Sequence, residues 1–184
     1  MPKFVLVFLA LLLAAPAEAT ESGWALLRDG GRVVLLAHGY TAGTTDPTNF
    51  DIEKCATQRN LSDRGKLQAR KMGALFATRA AETERVLSSR YCRCLDTARL
   101  AFGGTVEPFE ALDLFAADPA AAEAQKKAIL DEIGAFSGSG NLVMVTHPAT
   151  IAALLGTKPP REGEAVIVRP DGEKLHVLGR IIFN

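Results

Sequence analysis

Two apolar segments that each end at a histidine constrain this chain more than any other feature of its sequence. Residues 33–37 are all apolar and lead directly to His38, and the largely apolar residues 141–146 lead directly to His147. Apolar runs of this length predict strands that are buried on both faces, as in the centre of a parallel sheet. Ligand sites in open α/β sheets lie beyond the carboxyl ends of the strands. If the two strands are neighbours, both imidazoles therefore face one substrate.

The first 19 residues predict a signal peptide. Lys3 supplies a positive charge, residues 4–15 form an apolar stretch, and residues 17–19 are an A-x-A cleavage site. The apolar stretch is too short to span a bilayer comfortably, so an uncleaved membrane anchor is the secondary interpretation. We therefore predict a periplasmic or secreted protein, with no stable membrane span after cleavage and a single folded domain over residues 20–184.

Three cysteines follow the predicted cleavage site, and export would place them in an oxidising compartment. Cys92 and Cys94 are too close in sequence to bridge easily, so we expect Cys55 to pair with one of them and leave the other free. Two alternatives remain open. A Cys-x-Cys pair can bind metal, although it lacks the four-ligand spacing of a zinc site. All three thiols can also be reduced and buried.

The balance of charge limits the kinds of partner. The chain has 184 residues, of which 48% are hydrophobic, with 21 basic and 21 acidic side chains. These values predict one globular domain with a sizeable core. A nucleic-acid-binding protein needs a basic face or stripe, and no long run of Lys and Arg occurs. We expect a small molecule or a modified side chain as the substrate, and no nucleic acid. The sequence does not indicate an oligomeric state.

Strand and helix signals alternate along the chain. Ser62 and Asp118 are predicted helix N-caps, and Pro108 inside a predicted strand indicates an edge strand or a break in the strand. A turn at residues 170–172 predicts a C-terminal β-hairpin, in which His176 is a surface or packing residue. We predict a three-layer α/β sandwich with a mainly parallel sheet and helices on both faces.

Two arginines follow a further predicted strand at residues 84–89. The apolar residues after them recur at helical spacing, so Arg90 and Arg93 lie where this strand ends and a helix begins. Free backbone N–H groups and the positive end of the helix dipole favour anions at such a position. The sequence therefore predicts an anion site near these arginines.

Four motifs occur in the order and spacing of a known family. They are Ala37-His38-Gly39, residues 59–65 with Gln68-Ala69, Ser88-Ser89 followed by Arg93 and Thr97-Ala98, and Val145-Thr146-His147. On these motifs the chain resembles the histidine phosphatase superfamily, which is phosphoglycerate mutase-like, and within it the short branch similar to bacterial phosphohistidine phosphatases. The resemblance runs from about residue 33 to about residue 155. It implies a histidine-phosphatase-like domain over most of the predicted mature chain.

The resemblance implies a role for each matched residue. His38 corresponds to the nucleophile that becomes a phosphohistidine. Arg93 corresponds to the arginine whose planar guanidinium holds the phosphoryl oxygens. His147 corresponds to the second histidine, which stabilises charge on the transferring group. Thr41 falls where a phosphate-contacting hydroxyl often lies. The family needs no metal ion, so neither a metal nor another cofactor is expected.

The chain departs from the family at one position of the first motif. The family has Arg-His-Gly, whereas this chain has alanine at position 37. In the family, the motif arginine holds the phosphoryl group from the side opposite the arginine matched by Arg93, so about half of this guanidinium pair is missing here. The loss of one preorganised donor lowers reaction rates in other enzymes by roughly 10²- to 10³-fold. Arg59, Arg64 and Arg90 are candidate replacements, and Arg90 is the first choice among them.

Many relatives carry an acidic residue after the third strand that protonates the leaving oxygen. Asp113 is the first candidate for this general acid, and Glu110 is the second. The expected function is phosphoric monoester hydrolysis through a phosphohistidine on His38, impaired by the missing arginine, with a small phosphorylated molecule or a phosphorylated side chain as substrate. The alternative is a non-catalytic protein of the same fold that binds phosphate or a phosphoprotein. A third hypothesis makes residues 92–94 a redox element.

Overall fold

The computed structural model describes residues 16–184. The helices are α1 (Pro16–Arg28), α2 (Asp63–Thr78), α3 (Cys92–Phe102), α4 (Pro119–Ala135) and α5 (Pro148–Leu155). The strands are β1 (Val33–Ala37), β2 (Thr83–Ser88), β3 (Val106–Pro108), β4 (Asn141–Thr146), β5 (Glu164–Asp171) and β6 (Lys174–Ile182). Short 3₁₀ turns at Cys55–Thr57 and Glu110–Leu112 precede the two longer connections into α2 and α4.

The six strands form one mixed sheet in the order β3-β2-β4-β1-β5-β6. The first four are mutually parallel, and β5 and β6 add an antiparallel hairpin. The predicted sheet is thus confirmed, as are the C-terminal hairpin and the edge position of the strand that contains Pro108. The central pair β1 and β4 runs in parallel with Ala37 opposite Thr146. This register delivers the two predicted histidines to adjacent positions at one edge of the sheet.

Two apolar cores make the domain three layers thick. Alternate residues of a strand point to opposite faces, so β1 contributes Val34 and Leu36 to one core and Val33 and Leu35 to the other. The first core lies against α1, α2 and α3 and contains Trp24, Leu27, Met72, Phe76, Ala98 and Phe183. The second lies against α4 and α5 and contains Leu112, Ile129, Ile133, Ile151 and Leu154. Helices therefore cover both faces, as predicted.

The helix ends follow local chemistry that the sequence already displays. The Ser62 side chain accepts a hydrogen bond from the Gly65 N–H at the start of α2, and Asp118 accepts one from the Ala121 N–H at the start of α4. Both predicted N-caps are confirmed. α5 ends at Gly156, which adopts the left-handed conformation that glycine tolerates best.

The predicted signal peptide falls mostly on residues 1–15, which lie outside the described residues, and it stays a prediction. α1 begins at Pro16 and includes the three residues of the predicted cleavage site. Among residues 16–184, no helix combines the length and apolar character that crossing a bilayer requires.

A close approach of α2 and α3 depends on one glycine. A Cβ added at Gly73 would lie 1.8 Å from the carbonyl oxygen of Ala101. Gly73→Ala is therefore expected to lower the free energy of unfolding by about 1–3 kcal/mol, because the helices must separate. Denaturant unfolding measures the change.

Gly134 in α4 provides the matched control, since a Cβ there would meet no atom within 4 Å. Gly134→Ala should raise the stability by about 0.5–1 kcal/mol through the higher helix propensity of alanine. Equal effects of the two substitutions would contradict the close packing of α2 on α3.

Candidate active site

His38 and His147 lie side by side at the carboxyl ends of β1 and β4. The His38 N–H donates to the Thr146 carbonyl at 3.0 Å, and the two imidazole centroids are 5.5 Å apart at an angle of 74°. Each residue is only 1% exposed. Both line a cavity of about 240 Å³, together with Arg59 and Arg93. The predicted convergence of the two histidines is therefore present in the fold.

The hydrogen bonding of His38 leaves one ring nitrogen available for nucleophilic attack. Its Nδ1 lies 2.9 Å from the Gly39 carbonyl oxygen, which can only accept, so Nδ1 carries the proton. The lone pair is then on Nε2. Burial lowers the pKa of His38 to about 4, and the positive charges of Arg93 and Arg59 act in the same direction. His38 is thus a neutral imidazole at pH 7.

His147 is oriented by a serine and an aspartate. The Ser89 hydroxyl donates to Asp113 Oδ1 at 2.8 Å and lies 3.0 Å from His147 Nε2. Because the hydroxyl proton is directed to the carboxylate, the serine oxygen accepts from the His147 Nε2–H. Burial, followed by the charge of Arg93, lowers the pKa of His147 well below its usual value. This histidine is also neutral, and its hydrogen bond to Ser89 fixes the proton on Nε2.

Arg93 lies in the first turn of α3 and is 1% exposed. Its Nη1 donates to Asp46 Oδ1 at 2.9 Å and to the Arg59 carbonyl at 3.3 Å. The guanidinium carbon lies 4.5 Å from the centroid of the Tyr91 ring. Among the described residues its buried Nε has no hydrogen-bond partner. The guanidinium is thus held through Nη1, and its Nε is left without a partner in the described part of the chain.

Arg59 is the second guanidinium of the cavity. Its Nη1 contacts Thr41 Oγ1 and lies 3.4 Å from Glu162 Oε1, and the Thr41 hydroxyl donates to the same oxygen at 2.7 Å. The Nε of Arg59 is also buried without a partner in the described part of the chain. An unsatisfied buried donor costs about 1–3 kcal/mol. Two such donors on arginines that line one cavity favour an anion with several oxygens.

Arg90 and Asp113 lie outside the residues that line this cavity. The backbone N–H of Arg90 donates to Asp113 Oδ1, and its Nε donates to Asp113 Oδ2, both at 2.8 Å. Arg90 also donates to Glu110 at 2.9 Å. The third candidate replacement, Arg64, stacks over the Tyr40 ring at 4.1 Å. Of the three arginines predicted as substitutes for the missing one, the structure brings only Arg59 to the cavity.

Position 37 itself belongs to the apolar core rather than to the cavity wall. Ala37 is fully buried and is part of the core that α4 and α5 cover. The second guanidinium of the cavity comes instead from Arg59, in the loop before α2.

Sequence reasoning missed two carboxylates, Asp46 and Glu162, which line the cavity. Asp46 Oδ1 also accepts the Arg59 N–H at 2.8 Å, and Glu162 Oε1 lies 3.9 Å from His38 Nδ1. Both residues lie in loops with no periodic pattern, so no local signal marked them. They balance the charges of Arg93 and Arg59.

A disulfide joins Cys55 to Cys92, and Cys94 is free and buried. The predicted pairing of Cys55 is confirmed, and the structure selects Cys92. The bond ties the loop before Arg59 to the first turn of α3, where the Cys92 N–H donates to Gln58 Oε1 at 2.9 Å. Burial raises the pKa of Cys94 to about 12, so its thiol is unreactive. These features oppose the hypothesis of a redox element.

Within residues 16–184, no three His, Cys, Asp or Glu side chains cluster in a way that could hold a metal ion.

Comparison with known proteins places this fold in a class. No protein-family model and no curated protein matches the chain in sequence. Among solved structures, the protein histidine phosphatase SixA complexed with tungstate is 20% identical, with a TM-score of 0.57 over 82% of this chain and 96% of that one. A phosphoserine phosphatase from Entamoeba histolytica is 14% identical, with a TM-score of 0.57 over 81% and 95%. The chain has the histidine phosphatase fold.

A phosphoglycerate mutase from Thermus thermophilus shares the same fold. It is 18% identical, with a TM-score of 0.57 over 83% of this chain and 99% of that one. The expected resemblance to the histidine phosphatase superfamily is thus matched at the level of the fold, and the site is built on the strand ends of that fold.

Proposed function

We propose that this protein is a phosphomonoester hydrolase that forms a phosphohistidine on His38. One observation carries the proposal: a buried neutral imidazole shares a cavity with Arg59 and Arg93, whose Nε atoms are buried and unpaired. A phosphoryl group would satisfy these donors and place its phosphorus near His38. The phosphatases among the structural neighbours support the same class of reaction.

The reaction has two displacements. In the first, His38 Nε2 attacks phosphorus, the bond between phosphorus and the leaving oxygen breaks, and that oxygen takes a proton. In the second, water attacks the phosphohistidine, the P–N bond breaks, and inorganic phosphate and neutral His38 result. Glu162 and Asp46 are the carboxylates of the cavity that can accept the proton of the attacking water, and the leaving oxygen takes its proton from solvent. A bound phosphoryl group would favour the protonated form of His147, which can then stabilise charge on the transferring group.

The substrate in this proposal is a small phosphorylated molecule or a phosphorylated side chain. We also propose that the protein acts in the periplasm or outside the cell. The disulfide between Cys55 and Cys92 supports an oxidising compartment. Detection of the protein in a periplasmic or culture fraction, with the bond intact, tests the location.

The second candidate function is a non-catalytic protein that binds phosphate or a phosphoprotein. It is favoured by Ala37, which is buried in the apolar core and supplies no guanidinium group to the cavity for the chemical step. Incubation with an aryl phosphate separates the candidates. Turnover with an acid-labile phosphoenzyme supports the hydrolase. Phosphate binding without turnover supports the binding protein, and neither binding nor turnover contradicts both.

Arg59 should carry the positive charge that the motif lacks at position 37. Arg59→Gln is expected to lower the affinity for inorganic phosphate by about tenfold or more, since one charged donor is worth roughly 1.5–3 kcal/mol. Calorimetric titration measures the change. Arg64→Gln is the matched control, because Arg64 contacts Tyr40 and does not line the cavity. Equal losses of phosphate affinity in both variants would contradict a contact between Arg59 and the phosphoryl group.

Activity should persist into acid. The pKa of His38 is about 4, so the imidazole stays neutral and nucleophilic as the pH falls from 7 to about 5. We expect kcat/KM, corrected for the ionisation of the substrate near pH 6, to fall only as the pH passes through about 4. In the unfolded chain His38 takes up a proton near pH 6.5, whereas in the folded protein it does so only near pH 4. The free energy of unfolding should therefore decrease as the pH falls from 6.5 to 4. A kinetic midpoint near 6.5 would contradict the burial of the nucleophile.

A further inference from the structure

An apolar groove lies beside the candidate active site. It has a volume of about 550 Å³, and its walls include Phe50, Ile52, Tyr91, Ala111, Leu114 and Ala124. The active-site cavity, at about 240 Å³, is less than half as large. Pockets that hold whole small molecules have volumes of about 300–1,000 Å³. The cavity alone is below this range, whereas the groove lies within it, so the groove can hold the part of a substrate that the cavity does not.

The groove adjoins the active site at two side chains. Leu114 lines both the groove and the cavity. The Tyr91 ring lines the groove and packs edge-on against His147, with 4.7 Å between ring centroids. It also stacks on Phe50 at 5.1 Å and an angle of 28°. A group attached to a phosphoryl held by Arg93 would therefore meet an aromatic wall.

Large apolar side chains are exposed in the groove and on α2. Among the described residues, three large apolar side chains are exposed, namely Phe50 at 36%, Leu114 at 37% and Leu67 at 66%. Two of the three line the groove. Phe50 and Leu114 thus lie in one groove rather than being scattered singly over the surface.

The polar groups of the groove pair with one another. Arg90 donates to both Asp113 and Glu110, and the Gln125 side chain accepts the Ala116 N–H at 2.8 Å. These residues carry one positive and two negative charges, so the groove repels an anionic group. The groove thus favours an uncharged apolar group over an anionic one.

We propose that this groove binds the leaving group of the substrate, and that the preferred substrates are phosphate monoesters of uncharged aromatic groups. The inference rests on the proposed function for the position of the phosphoryl group. It adds the chemical class of the remainder of the substrate, which contacts Phe50, Tyr91 and Leu114.

The test compares 1-naphthyl phosphonate with phenyl phosphonate, which cannot be hydrolysed and differ by one fused ring. Calorimetry on the full chain should show the naphthyl compound binding about tenfold tighter or more, because the second ring buries additional apolar surface. The corresponding phosphates should show the same preference in kcat/KM, mainly through KM. Leu114→Ser and Phe50→Ser should each reduce the preference several-fold.

Leu67→Ser is the matched control, because Leu67 is exposed on α2 and does not line the groove. It should keep the preference. Equal affinities for the two phosphonates would overturn the inference. If the two phosphonates bound equally and the protein formed a dimer that Leu114→Ser disrupts, the groove would instead be an interface between two copies of the chain. Preferential naphthyl binding without turnover of either phosphate would support the groove and contradict the hydrolase, so the two proposals fail separately.

Discussion

Replacement of His38 with alanine is expected to lower the turnover of aryl phosphates by about 10³- to 10⁶-fold, as removal of a covalent nucleophile does in other enzymes. His147, the other imidazole of the cavity, donates its Nε2–H to Ser89 at 3.0 Å, and its Nδ1 lies 3.9 Å from the buried Cys94 sulfur. The phosphoenzyme should disappear together with the turnover. Steady-state kinetics and trapping of the labelled protein measure both effects.

Binding separates this loss of chemistry from a loss of structure. Arg59 and Arg93 remain in His38→Ala, so the variant should bind phenyl phosphonate with nearly unchanged affinity. His176→Ala is the matched control, because this histidine is exposed in the hairpin of β5 and β6. It should retain full activity. A His38→Ala protein that binds the phosphonate and still hydrolyses aryl phosphates would refute the assignment of the nucleophile.

Replacement of Arg93 with glutamine should lower kcat/KM by about 10³- to 10⁵-fold, the range found when an arginine that stabilises phosphoryl transfer is supplied or removed. Two physical effects act together. The unpaired Nε of the guanidinium is lost, and Asp46, which Arg93 holds at 2.9 Å, becomes an unpaired negative charge beside the phosphoryl group. Phosphonate affinity should therefore fall as well.

The double variant Arg93→Gln/Asp46→Asn tests the second effect. Removal of the unpaired carboxylate should recover part of the phosphonate affinity without restoring kcat, because the donor for the transition state is still missing. Arg99→Gln is the control on the same helix, where Arg99 is exposed near the end of α3. If Arg93→Gln bound the phosphonate as tightly as the original protein, Arg93 would not contact the phosphoryl group.

Local patterns in the sequence were sufficient to predict most of the elements. Apolar runs predicted β1 and β4, capping residues predicted the starts of α2 and α4, and a turn predicted the hairpin. These features depend on residues that are close in sequence, so neighbouring side chains and backbone groups determine them. The meeting of His38 and His147 was also predictable, because parallel strands deliver their carboxyl ends to one edge.

The neighbours of the two histidines depend on contacts between residues far apart in the chain. Arg90 and Arg93 differ by three positions, yet the Arg93 side chain is 1% exposed in the cavity wall and the Arg90 side chain is 36% exposed beside Asp113. No periodic pattern distinguishes them, since both lie near the junction of β2 and α3. Contacts between distant parts of the chain, and not the local sequence, place Arg59 rather than Arg90 in the cavity with His38.

The sequence alone thus determined the strand-end histidines, the helix caps, the layered fold and the two possible partners of Cys55. Only the tertiary structure decided that Cys92 is that partner, that Arg59 supplies the second guanidinium, and that Asp46 and Glu162 face the arginines. The physical reason is the range of the interactions. Strands, helices and caps are specified within a few residues, whereas a cavity is specified by loops whose paths depend on packing against the whole domain.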